Sequence, residues 1–158
     1  MTEGERGTES HALRGPIDRG ALLDFRTLFE RQEPLATGKL DDRLDPRVLR
    51  LSLADGIGEA TSARIDVAWT TRDDYTVHYS EDTGTHLRWD VHPHGYPRPP
   101  DDRHFHPPPA ASSDPNLVRP SCIRVRELEL VARATQRLWR SAYDDGSFES
   151  VNDLVDPP

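Results

Sequence analysis

The 158-residue chain has one cysteine, Cys122, and one lysine, Lys39. A single cysteine excludes an internal disulfide and any cysteine-rich zinc site within one chain, and Cys122 is read as a small packing residue. No apolar run reaches the roughly 18–20 residues that a membrane-spanning helix needs. Residues 1–14 are polar throughout and lack the basic, apolar and small-residue order of a signal peptide. These absences lead us to expect a soluble, cytoplasmic protein without a membrane partner. There is also no phosphate-cradling glycine motif, no HExxH pair, no Ser-His-Asp order and no internal repeat, which sets aside P-loop enzymes, helical zinc proteases, triad hydrolases and solenoids.

The scarcity of lysine has a counterpart. Nineteen of the twenty basic residues are arginine, aspartate outnumbers glutamate, and the net charge is -8. Such an alphabet suits solubility at high ionic strength and points to a halophile. Net negative charge ordinarily disfavours nucleic acid, but in molar salt the Debye length is only about 3 Å, so a local patch decides. Arg88, Arg98 and Arg103 can form one around the histidines described below.

Along the chain, residues 1–18 are too polar to offset their ordering entropy and are expected to form a disordered arm, with His11 a solvated bystander. Leu22, Phe25, Leu28 and Phe29 recur at helical spacing over 19–33, and Pro34 closes that helix. Residues 35–46 read as a connecting loop and 47–53 as a short strand. The period then becomes two. Ile65, Val67 and Trp69, then Tyr75, Val77 and Tyr79, then Leu87, Trp89 and Val91 alternate with polar residues, which describes an antiparallel meander with one buried face. Keeping Tyr79 opposite Leu87 and Val77 opposite Trp89 requires a three-residue turn, Asp82-Thr83-Gly84, with Gly84 left-handed. His78, Arg88 and Asp90 then lie on the other face.

Residues 92–120 hold nine of the fourteen prolines and read as one long loop, of the kind that is commonly functional. Ser121 is placed to cap a second helix running to about residue 140, with Leu128, Val131, Ala132, Leu138 and Trp139 on its packed stripe and Arg133, Arg137 and Arg140 facing the dipole at its end. Residues 141–158 read as an acidic tail. The fold class expected is α+β: a single domain over 19–140, with an antiparallel sheet of about four strands covered on one face by an N-terminal and a C-terminal helix.

Five of the seven histidines fall between His86 and His106, beside Asp90, Asp101 and Asp102. In extended chain, His104 and His106 project to one side, as do His92 and His94, so two imidazoles converge in each His-x-His. Two chemistries suit such a set. Paired imidazoles oriented by a carboxylate can act as acid and base near neutral pH, and two or three histidines with an aspartate can bind a divalent metal such as zinc. The metal set would be His94, His104 and His106. His78 and His86 are read more simply as strand residues on a solvated face.

The run Arg88-Trp89-Asp90, followed by Pro93-His94 and then His104-Phe105-His106, resembles the TumE-type toxins of toxin–antitoxin systems. The strand pattern before it and the helix after it agree in order, and Arg103 stands where that family carries a proline. The resemblance implies a growth-inhibiting toxin with a cognate antitoxin, which is expected to carry a helix-turn-helix domain; the His/Asp cluster adds the expectation that RNA is attacked. The matching positions are Asp90, His94, His104 and His106, with Arg88 added as a phosphate contact, and these five are the expected catalytic residues. The competing expectation is a non-enzymatic metal-binding or protein-interaction domain of the same fold.

Overall fold

The computed structural model describes residues 12–153. The first eleven residues of the expected arm, His11 included, and the last five of the expected tail lie outside the described residues. A helix α1 (Arg19–Gln32) precedes six strands, β1 (Ala36–Leu40), β2 (Leu49–Leu53), β3 (Ala63–Trp69), β4 (Tyr75–Glu81), β5 (His86–Val91) and β6 (Arg103–His106), and α2 (Leu128–Asp145) follows them. The strands form one antiparallel sheet in chain order. The α+β class is as expected, but the sheet has six strands where about four were expected.

The two additional strands are the sheet's edges. β1 is Ala-Thr-Gly-Lys-Leu, with a glycine and a lysine at its centre, and β6 is Arg-His-Phe-His. Edge strands have one neighbour and are commonly short, charged or polar, so they carry little of the alternating pattern that reveals a central strand. Of the four inner strands, β3 to β5 match the period-two segments read from the sequence and β2 the short strand read over 47–53.

The register also follows that reading. Tyr79 lies opposite Leu87 and Val77 opposite Trp89. The Glu81 and Gly84 amides donate to Thr85 and Glu81 carbonyls, and Gly84 has φ +94°, a conformation that costs a residue with a β-carbon. One sheet face therefore presents Ile65, Val67, Trp69, Tyr75, Val77, Tyr79, Leu87, Trp89 and Phe105 to a core shared with Leu22, Phe25 and Phe29 of α1 and Val131, Leu138 and Trp139 of α2.

Asp18 caps α1 by accepting from the Ala21 amide at 3.1 Å. α2 departs from expectation at both ends. Ser121 accepts instead from the amide of Ile123, closing a local turn, and the helix starts at Leu128 with no side-chain cap. It runs past Arg140 to Asp145 and stops at Gly146 in the left-handed conformation, so its last turn holds no base. Arg140 serves a different purpose: with Gln136 it binds the buried Glu33 carboxylate at the end of α1, joining the helices through a polar contact inside the core.

Segments assigned by sequence to arm and tail contribute here. Ile17 bridges to Thr70, Arg14 binds Asp74, and Val151 is buried. Hydrophobic periodicity misses these segments because hydrogen bonds and isolated apolar contacts attach them.

Trp89 is 1% exposed and packs on Phe105 with ring centroids 5.7 Å apart. Trp89→Ala is expected to cost about 3–5 kcal/mol, read as a lower midpoint in denaturant unfolding with an unchanged slope.

Candidate functional site

The polar face of the sheet is open over β1 to β4, but over β5 and β6 the chain folds back across it. Residues 92–102 link these strands as a long hairpin loop, closed at its base by the His92 amide donating to the Asp102 carbonyl. After β6, Ala110 bridges to His86, and Arg119 bridges to Phe105, covering the outer edge. Asp90 and His104 are cross-strand partners, as are Arg88 and His106. All four project from the face opposite the core, because Trp89 and Phe105 take the core side.

Asp90 is consequently a fully buried carboxylate. Its Oδ2 accepts from Arg88 Nε at 2.8 Å and lies 3.2 Å from His92 Nε2, 3.2 Å from His106 Nε2 and 3.5 Å from His104 Nε2. Burial alone would raise the carboxyl pKa, but the donors that reach it, His92 and the Arg88 guanidinium among them, hold it well below the ordinary value, so it is an anion.

The ring nitrogens can be assigned from their partners. Nδ1 of His104 lies 3.0 Å from the Asp102 carbonyl oxygen, and Nδ1 of His106 lies 2.9 Å from that of Ser112. A carbonyl only accepts, so each Nδ1 carries a proton. Burial lowers the His104 pKa, which keeps that ring neutral and leaves its Nε2 a bare lone pair. Among the described residues, neither His104 Nε2 nor His106 Nε2 makes a hydrogen bond, and neither does Asp90 Oδ1, although all three atoms are buried. A buried polar atom left without a partner costs roughly 1–3 kcal/mol. Histidines that present one nitrogen inward while donating the other to a backbone carbonyl are the usual arrangement around a bound metal. Asp90, His104 and His106 each place a ligand atom within 4.8 Å of the others, and the group could hold a metal ion.

His92 differs. Its Nδ1 donates to the Pro93 carbonyl at 2.8 Å while Nε2 points at Asp90, and although burial lowers its pKa, the Asp90 carboxylate raises it further, to a net value above the ordinary one. Protonated, it donates from both nitrogens.

Of the five expected catalytic residues, Arg88, Asp90, His104 and His106 are brought into one cluster. His94 stands at the rim: its Nε2 donates to the Asp101 carbonyl at 2.6 Å and its Nδ1 accepts from the Tyr96 amide at 3.1 Å, so both nitrogens are engaged and it does not join the Asp90, His104 and His106 group. Its ring lies against that of His104, with centroids 4.7 Å apart. Two neighbours were not singled out by sequence. His92 could have been, since it continues the alternation from Arg88 and Asp90. Tyr96, whose ring lies 5.9 Å from those of His104 and His106, gives no such signal.

The loop's base is held by a remote residue. The Arg14 side chain donates to both Asp74 carboxylate oxygens at 2.9 Å and reaches Asp102 at 3.1 Å, while Asp102 in turn offers its carbonyl to His92 and His104. The segment before α1 thus braces the turn that aims the histidines.

An α+β protein with a six-stranded antiparallel sheet, carrying a sequestered carboxylate ringed by imidazoles at one corner, is the class that fold and site define. The family model described as Toxin TumE matches residues 25–141, which takes in every strand and the whole cluster. The chain belongs to the TumE toxin family. It is therefore a toxin component, and membership implies a cognate antitoxin. No curated protein and no solved structure matches the chain. Among the described residues, no helix is long and apolar enough to cross a membrane.

Burial desolvates the Asp74 carboxylate, but the Arg14 side chain and backbone amide bind it and hold its pKa below the ordinary value. Its contribution to stability is full above the unfolded carboxyl pKa of about 4 and is lost as pH falls through the lower folded value. In acid unfolding, Asp74→Asn should therefore be less stable than wild type at neutral pH and show a shallower loss below about pH 4. Parallel curves for the two proteins would remove Asp74 from the acid response.

Proposed function

We propose that the chain arrests growth by attacking RNA at the Asp90 cluster, with Asp90, His104 and His106 holding a divalent metal such as zinc. The observation that carries this reading is the grouping of Asp90, His104 and His106, whose ligand atoms lie within 4.8 Å of one another, with the Nε2 atoms of both imidazoles buried and without a hydrogen bond. Two imidazoles favour a transition metal over magnesium or calcium, which prefer oxygen ligands. The spacing suits it too, since ligand atoms around a tetrahedral zinc bonded at roughly 2.1 Å stand about 3.4 Å apart, close to the 3.2 and 3.5 Å separating Asp90 Oδ2 from the two Nε2 atoms.

A zinc ion held there supplies Lewis acidity toward a phosphate oxygen and a water of lowered pKa. The chain's own groups do the rest. Arg88 orients Asp90 through Nε and, with its side chain 30% exposed, offers its remaining donors to a phosphate at the mouth. His94 and Tyr96 wall the cluster from solvent. The partner we propose is an antitoxin with a helix-turn-helix domain, and the compartment is the cytoplasm.

Induced expression without antitoxin should arrest growth, and the purified chain should retain about one zinc after dialysis. Asp90→Asn, or His104→Ala with His106→Ala, should relieve the arrest and lose the zinc while circular dichroism stays native, whereas His11→Ala should change neither. Arrest by a variant carrying Asp90→Asn, His104→Ala and His106→Ala together would sink the site. Zinc retained by a harmless wild type would favour the non-enzymatic metal-binding domain instead.

A further inference from the structure

The open part of the polar sheet face has an order that the cluster alone does not explain. Successive registers place Lys39, Arg50, Asp66, His78, Arg88 and His106 in a single row that crosses all six strands and ends in the cluster. The adjoining row runs Thr37, Ser52, Arg64, Ser80 and His86. At roughly 4.8 Å per strand, the first row spans about 24 Å from Lys39 to His106.

The charge along it is segregated. On a chain of net charge -8, this face presents Lys39, Arg50, Arg64 and Arg88 against one partly exposed carboxylate, Asp66. Arg50 and Arg64 share that carboxylate, at 3.2 and 3.3 Å, and remain 45% and 50% exposed, so their other donors face solvent. Two adjoining grooves run here. One is lined by Arg50, Ser52, Arg64 and Ser80, with Glu81 and Asp82 at its end, and the other by Lys39, Arg50 and Ser52, with Asp41 at its rim.

Beside Arg88 lie two half-buried imidazoles, His78 on β4 and His86 on β5. His78 Nε2 and His86 Nδ1 are 2.9 Å apart and their ring centroids 5.1 Å apart. Burial, then Arg88 and His86, lower the His78 pKa. Aromatic rings among cationic side chains are how single-stranded nucleic acid is held: the cations follow the phosphates and the rings take the bases. A duplex, whose bases are hidden, gains nothing from the rings.

We infer that the open sheet face is a binding track for single-stranded RNA, with Lys39, Arg50 and Arg64 on the phosphates and His78 and His86 beneath the bases, feeding the strand toward Arg88 and the Asp90 cluster. It rests on the reading of RNA as the target and names the surface that holds it.

The test uses a fluorescein-labelled, 2′-O-methylated single-stranded oligoribonucleotide, which binds without being cut at its own 2′-hydroxyls, and reads anisotropy of the full chain from low to high salt. The wild type should bind with a steep salt dependence. Replacing Lys39, Arg50 and Arg64 by alanine should weaken binding at least ten-fold at low salt and flatten the log–log slope by about 2, at roughly 0.7 per cation. His78→Ala should weaken it about ten-fold with the slope unchanged, and a duplex of the same sequence should bind less well than the single strand. A wild type whose binding is absent or independent of salt would overturn the track even if the triple variant failed to fold, as would equal binding by the duplex. Binding along this face with no cleavage of an unmodified oligoribonucleotide would instead remove the proposed chemistry and leave the track standing.

Discussion

The structure turns on placing an anionic carboxylate where water does not reach. A buried carboxylate is costly unless charge and hydrogen bonds replace its hydration. Asp90 is bonded by Arg88 from its own strand and His92 from the loop, while His104 and His106 of the next strand close the space around it. Removing one partner leaves the others with a poorly compensated charge, so strand, edge and loop must be correct together. That requirement explains why the covering segments are long and proline-rich yet closely bonded to the sheet.

The same constraint organises the periphery. The Asp102 carbonyl fixes the proton on His104, and the Asp102 side chain is held by Arg14, which is held in turn by Asp74 at the end of the turn before β4. A residue 76 positions from Asp90 in sequence thereby bears on the tautomer of an imidazole in its cluster. The opposite face of the sheet needs no such chain of contacts. There Trp69, Tyr75, Val77 and Trp89 pack by shape and area against two helices.

The two faces were unequally legible for that reason. Period-two alternation exposed β3 to β5, the three-residue turn and even the partners of Tyr79 and Val77, because a one-residue slip would invert every side chain. Helix spacing and Pro34 bounded α1 closely, whereas the second helix was started seven residues too early at Ser121, where a capping side chain and a local turn look alike in sequence. The edge strands escaped notice because Gly38 and Lys39 in one, and three polar residues of four in the other, suppress the pattern.

By itself, the sequence determined the α+β class, the meander and its register, the sidedness of Arg88 and Asp90, and the motif that carries membership of the TumE family. These depend on local periodicity and spacing, which one strand's residues suffice to express. Only the tertiary structure decided which histidines meet the carboxylate. His92 and His94 both follow Asp90 closely along the chain, yet His94 spends both nitrogens on the loop backbone and His92 turns inward. That choice belongs to the path of residues 92–102, which is set by hydrogen bonds to Asp101, Asp102 and the distant Arg14, and no periodic signal encodes contacts among irregular segments.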